Sequence, residues 1–223
     1  MEERKTVGFK KAEFVLREHI KKSIGKGKVS KVRIEYTPVG EKIIISTSKP
    51  GFIIGSGGEK IDELTRTLNI KFKLENPHIE IDEIRTPEFD AQIMADEIAL
   101  GIEIFGALKF KVIAYRTLQK IIEAGALGVE IRLNGKLPSS RAKLWRFAQG
   151  YLKKTGDSAK VVDRAQARAE TKPGTVGVKV SILSPEAKLK DRIIINEEMI
   201  EQLKKNSEFK EEEIKKTKTN RKK

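Results

Sequence analysis

Three groups of residues in this chain have types and spacing suited to holding phosphates. The first is the loop Gly55-Ser56-Gly57-Gly58, with Lys49 before it and Lys60 after it. Glycine has no Cβ, so a sugar-phosphate backbone can lie directly against such a loop. The apolar turn Pro50 to Ile54 leads into it, and Ile61, Leu64 and Leu68 follow at helical spacing. The free N–H groups and positive dipole end of that second helix would favour an anion there. The second group is Lys109, Lys111 and Arg116. The third is a longer series, Arg132, Lys136, Arg141, Lys143, Arg146, Arg164, Arg168, Lys172 and Lys179. Trp145 stands inside that series and offers an aromatic contact beside the phosphate contacts.

Other chemistries find little support. Neither Gly51 nor Gly55 begins the Gly-x-x-x-x-Gly-Lys-Ser/Thr pattern of a nucleotide-triphosphate loop, and a dinucleotide fingerprint would need glycine where Lys60 stands. There is no cysteine, so disulfides and thiol chemistry are excluded. His19 and His78 are isolated and cannot supply a zinc site, and no cofactor is implied. The longest apolar runs fall short of the roughly 18 residues of a membrane span. No signal-peptide pattern opens the chain, which therefore reads as cytosolic with no membrane partner. A net charge of +14 over 223 residues points to a polyanion. Lysines are plentiful, but no local constellation selects one for a lowered pKa, so catalysis is not expected.

The elements that must position these residues follow from periodicity. Phe9, Ala12, Leu16 and Ile20 mark a first helix, closed by Gly25-Lys26-Gly27. Val32, Ile34 and Tyr36 alternate with Arg33 and Glu35, and Pro38-Val39-Gly40 turns the chain into a second strand around Ile43 to Ile45. The glycine loop and its two helices come next. Ile70, Phe72 and Leu74 alternate with Lys71 and Lys73, and Ile79 to Ile84 reads as a strand. The order helix, strand, strand, helix, Gly-x-x-Gly, helix, strand is that of the type II KH fold, whose loop grips single-stranded nucleic acid. Residues 1–85 are expected to form this domain.

A second α+β domain is expected over residues 86–183. Thr86-Pro87-Glu88 enters a helix bearing Met94, Ile98, Ile102 and Phe105, which Gly106 interrupts. Phe110, Ile113, Ala114, Leu118 and Ile121 mark another, closed by Gly125. Val129, Ile131 and Leu133 alternate as a strand, and so do Val176, Val178, Val180 and Ile182. Ala165 to Ala169 alternate too and read as a third strand, although alanine prefers a helix. Leu144 to Leu152 mixes apolar and basic residues without a clear period. The expectation is an antiparallel sheet with two helices on one face. Residues 126–183 hold 12 basic and four acidic side chains, whereas residues 86–125 hold four basic and six acidic. The basic surplus therefore belongs to the sheet. Beyond it, residues 184–223 form a charged tail, with Ile193-Ile194-Ile195 a candidate short element and Asn206 to Lys223 expected to be mobile.

Assembled, these pieces resemble small-subunit ribosomal protein three in its archaeal and eukaryotic form. The resemblance rests on Pro50 to Gly58, Gly125 to Glu130, Asn134-Gly135-Lys136-Leu137, Arg141-Ala142-Lys143, Thr155-Gly156-Asp157 and Gly174 to Val180. It implies a structural constituent of the small-subunit head with no reaction of its own. The partners it implies are small-subunit ribosomal RNA, messenger RNA and other head proteins. In the resemblance, the KH loop with Lys49 and Lys60, together with Lys109, Lys111 and Arg116, lies near the messenger entrance. The sheet cations with Trp145 are expected to bind ribosomal RNA. This chain departs from it at Ser56 and Gly57, where many KH loops are basic, at Val112 and Tyr115, where bacterial relatives are basic, and at Pro138-Ser139-Ser140. A free-standing KH regulator of RNA, or a nucleic-acid lyase working through a lysine Schiff base, are the alternatives.

Overall fold

The computed structural model describes residues 2–38, 40–72, 74, 76–187 and 189. The expected tail elements at Ile193 to Ile195 and Asn206 to Lys223 lie outside them. Two sheets, each with its own apolar core, organise the rest.

Helix α1, Glu2–Ile24, buries Leu16, Ile20 and Ile24, and the two glycines expected to stop it do so from the left-handed region. Its N-terminal half departs from expectation. Phe9 and Ala12 are exposed rather than buried in the core, and Phe9 meets the ring of Tyr36 at 4.8 Å. Strands β1, Val32–Thr37, and β2, Gly40–Thr47, pair antiparallel, and β3, His78–Glu83, lies parallel to β2. The sheet order β1-β2-β3 puts β2 in the centre, and its Ile43 and Ile45 are fully buried, as a period of two requires. Between β2 and β3 stand α2, Pro50–Ile54, and α3, Glu59–Phe72. The alternation at Ile70 and Phe72 falls in the last turn of α3 and makes no strand. Ile53 and Leu68 close the core against Leu16 and Ile20.

In the second half, Asp90 caps α4, Ala91–Phe105, accepting bonds from the Gln92 and Ile93 N–H groups at 2.9 and 3.1 Å. Helix α5, Phe110–Glu123, follows the Gly106 turn. The sheet has four strands: β4, Gly128–Gly135; β5, Lys143–Gly150; β6, Asp163–Thr171; and β7, Gly174–Leu183. All neighbours in the order β5-β4-β7-β6 are antiparallel. Strand β5 is the one the unperiodic stretch concealed. Helices α4 and α5 cover one face, as expected, with α4 over β6 and β7 and α5 over β4 and β5. The alanines of β6 are explained by this packing: Ala165, Ala167 and Ala169 lie under α4, and a larger side chain would hold that helix away. Close fit outweighs strand propensity here.

The turn after α1 joins the two sheets. Gly27 N–H donates to buried Asp96 at 3.1 Å, Lys26 pairs with Glu103 at 2.9 Å, and Lys31 pairs with Asp163 at 3.2 Å. The Ser30 hydroxyl donates to the capping Asp90 carboxylate. Burial pushes the Asp96 carboxyl upward from its ordinary range, against the bonds from Gly27 and Gln92.

Candidate nucleic-acid interface

Three surfaces carry the residues singled out from the sequence. At the glycine loop, Gly55 has φ 75°, and a Cβ there would lie 2.8 Å from Cγ of Lys60, whose stem crosses it. Gly57 and Gly58 also take positive φ, and space around them is open, so a backbone can approach. The helix end behind them is less inviting than expected. Glu59 and Asp62 occupy the first turn of α3 and already answer its dipole. A further feature escaped the sequence reading: Phe52 is half exposed, with the ammonium groups of Lys28 and Lys49 at 5.1 and 5.9 Å from its ring centre. The signal was present, since a helix that buries Ile53 must turn Phe52 outward.

Lys109, Lys111 and Arg116 are exposed around the start of α5. The Lys111 ammonium lies 4.9 Å above Trp145, and that of Lys109 lies 5.9 Å from Phe105. In the same stretch of chain Ile104, Phe105, Leu108, Val112 and Tyr115 are also exposed. This surface is mixed apolar and basic.

The outer face of the second sheet is different. Arg132 of β4 stands directly opposite Arg146 of β5 on one side and Lys179 of β7 on the other. Gln166 of β6 extends the row, and Arg164 and Arg168 flank Gln166 along β6. All six side chains are exposed and alternate with buried inward residues. Like charges directly opposite destabilise a sheet unless something answers them. Part of the answer is Glu130, whose side chain is 4% exposed. Its carboxylate accepts from Nε of Arg132 at 2.9 Å and from Nε of Arg146, and Lys154 lies 3.2 Å away. Burial alone would raise this carboxyl; the bonds from Arg132, Arg146 and Lys154 overcome that and hold it at about 2. Neither Glu130 nor Lys154 was among the residues chosen from the sequence, because Lys154 reaches Glu130 from a different connection.

Trp145 corrects the sequence reading. It neighbours Arg146 in a strand, so the two side chains leave on opposite faces. Trp145 packs on Phe110 at 5.2 Å and donates its Nε1–H to the Leu137 carbonyl at 3.1 Å, on the helix side of the sheet. It is no aromatic platform beside Arg146. Arg141 and Lys143 do not join Arg146 either: Lys143 opens β5 opposite Gly135, and Arg141 lies in the preceding loop. Lys136, after β4, and Lys172, in the β6–β7 turn, share that end of the sheet, and all four are exposed.

Among the described residues no helix is long and apolar enough to cross a membrane, and no group of three or more His, Asp or Glu residues is placed to hold a metal ion.

Two family models match the chain. The family described as KH domain matches residues 15–89, and the family described as Ribosomal protein S3, C-terminal domain, matches residues 99–182. Small ribosomal subunit protein uS3 of Methanocaldococcus jannaschii is 41% identical over 182 residues, covering 81% of this chain and 86% of that protein. Its counterpart in Methanosphaera stadtmanae is 39% identical over 165 residues, covering 74% of this chain and 65% of the other. That of Methanobrevibacter smithii is 35% identical over 179 residues, covering 80% and 71%.

Proposed function

The chain belongs to the family of small ribosomal subunit protein uS3, structural components of the cytoplasmic ribosome rather than enzymes, and from that premise we propose that it sits in the head of the small subunit. There the outer face of its second sheet lies on ribosomal RNA, and the glycine loop and the start of α5 border the path by which messenger RNA enters. Residues 1–85 and 86–183 serve as its two working domains, with 184–223 as a charged tail. The observation that carries this reading is the cross-strand row Arg146–Arg132–Lys179, three like charges in register that a folded sheet has no internal reason to align. Arg164, Arg168 and Lys172 widen that surface, and Lys136, Arg141 and Lys143 extend it at one end of the sheet. Lys49, Lys60 and the glycine backbone supply a second, weaker contact for single-stranded RNA. Lys109, Lys111 and Arg116 sit among apolar side chains, a surface that also suits a neighbouring head protein.

Photocrosslinkers placed singly at Lys179 and at Lys111 in assembled subunits test the assignment. Lys179 should crosslink to ribosomal RNA and Lys111 to messenger RNA or to a head protein. Crosslinks from Lys179 to protein alone would overturn the placement of the sheet.

A further inference from the structure

We infer that the outer face of the second sheet holds a discrete phosphate seat, a cavity of about 280 Å³ ringed by Arg132, Lys154, Arg164 and Lys179, with Glu130 as its positioning residue. The inference rests on the reading that this face binds RNA and names where in it a single phosphate is taken.

The floor of the cavity is fixed by strand register. Arg132, Lys179 and Gln166 lie in one cross-strand row, and Glu130, Ser181 and Arg164 lie in the next. Lys154, from the connection between β5 and β6, walls one side. Every cationic side chain of the cavity therefore comes from a different strand or loop, and all converge on one space. Four cations meet one carboxylate there. Arg164 and Lys179 have no carboxylate partner among the described residues. The site is thus short of anions in the free protein, and a phosphate supplies what it lacks.

The bonding of Glu130 gives the seat its shape. It accepts from Nε of both arginines, the edge of the guanidinium nearest the stem. The Nη groups are left at the far edge, and the side chains of Arg132 and Arg146 remain 44% and 54% exposed. An arginine held by its Nε presents its remaining donors in a fixed plane, and a fork whose orientation is settled beforehand loses little freedom when it grips a phosphate. A carboxylate serving only to cancel charge would have no need to be buried beneath the two arginines it bonds.

The two roles predict opposite signs for one substitution. Glu130→Gln raises the net charge by one, so a mere counterion, once removed, would leave phosphate bound more tightly. A positioning residue, once removed, leaves it bound more weakly. The experiment follows backbone amide and arginine Nε–H resonances of the full chain during titration with inorganic phosphate against chloride at equal ionic strength. Affinity for a short ribosomal RNA duplex is measured on the same samples. In the wild type, Arg132, Gln166, Lys179 and Ser181 should shift together along one saturating curve. Lys179→Gln and Arg164→Gln should each weaken that curve at least fivefold, and Glu130→Gln should weaken it about threefold or more. Tighter phosphate binding by Glu130→Gln would overturn the positioning role. Small unsaturating shifts spread over all exposed lysines would overturn the seat itself. Should Glu130→Gln fail to fold, the exposed Lys179 and Arg164 variants decide the matter, and wild-type affinity in both contradicts the inference. RNA binding retained without a saturable phosphate site sinks the seat alone. Absent RNA binding would sink the broader reading as well.

Discussion

The glycine loop and the second sheet present two ways of meeting a phosphate backbone, and they differ in what does the work. At the loop, main chain is laid open: Gly57 and Gly58 have empty space around them, Ser56 is uncharged, and Glu59 and Asp62 stand just behind. At the sheet, charge is laid out in register, with Arg146, Arg132 and Lys179 in one row over a buried Glu130. The first arrangement suits close approach and gives little long-range attraction. The second would attract strongly, carrying a repulsive cost in the free protein that binding of a polyanion would recover. Under the proposed function, the Gly-x-x-Gly loop marks where a strand can lie, while most of the affinity comes from cations brought together elsewhere.

The largest expected effect lies on the sheet. Replacing Arg132, Arg146 and Lys179 together with glutamine should lower affinity for head ribosomal RNA by about a hundredfold at moderate salt, as expected for losing roughly three phosphate contacts. Filter binding would read it, and a loss below about fivefold would remove the sheet from first place. Next comes acid. The Glu130 carboxyl has a folded pKa of about 2 against an ordinary 4.5. Its contribution is therefore complete above about 4.5 and is lost as pH falls toward about 2. Denaturant titrations should show about 2 kcal/mol disappearing over that window in the wild type and not in Glu130→Gln. The same pH profile in both proteins would mean the carboxylate is not held as the structure places it.

Smaller effects belong to the loop. Gly55→Ala should cost about 1–2 kcal/mol, because alanine must take a positive φ with its Cβ against the Lys60 stem. Thermal unfolding measures this, and an unchanged midpoint would show that the loop relaxes freely. Smallest of all, Ser56→Asp with Gly57→Asp should weaken single-stranded RNA binding only about threefold, since few contacts are charged there. A hundredfold loss would reverse the ranking of the two surfaces.

Much of the architecture was legible because burial imposes a period. The helices of the second half and strands β4 and β7 have one buried face each, and their apolar residues repeat accordingly. Strand β6 was readable even in alanines, since the alternation survives where the propensity does not. Strand β5 was not, for a physical reason: at the sheet edge its outward Leu144 is exposed while inward Trp145 is only half buried, so the pattern blurs. The cost of missing β5 was the pairing of Trp145 with Arg146, which a strand separates at once. The basic surplus pointed to the second sheet, but the carboxylate that bonds its arginines was hidden. Glu130 sits at an ordinary outward position, and its bond to Lys154 spans 24 residues that no local pattern connects. Phe52 was obscured differently, since an apolar turn reads as core until the helix is drawn and only Ile53 is found facing inward.

One measurement separates the two surfaces without altering total charge between variants. Affinity for head ribosomal RNA is followed against salt for the wild type, for Arg132, Arg146 and Lys179 changed to glutamine, and for Lys28, Lys49 and Lys60 changed to glutamine. Both variants lose three positive charges. Each phosphate contact adds roughly 0.9 to the slope of log affinity against log salt, so the sheet variant should lose about 2.7 and the loop variant less than about 1. Equal losses, or a greater one at the loop, would contradict the claim that the sheet is where this protein holds its RNA.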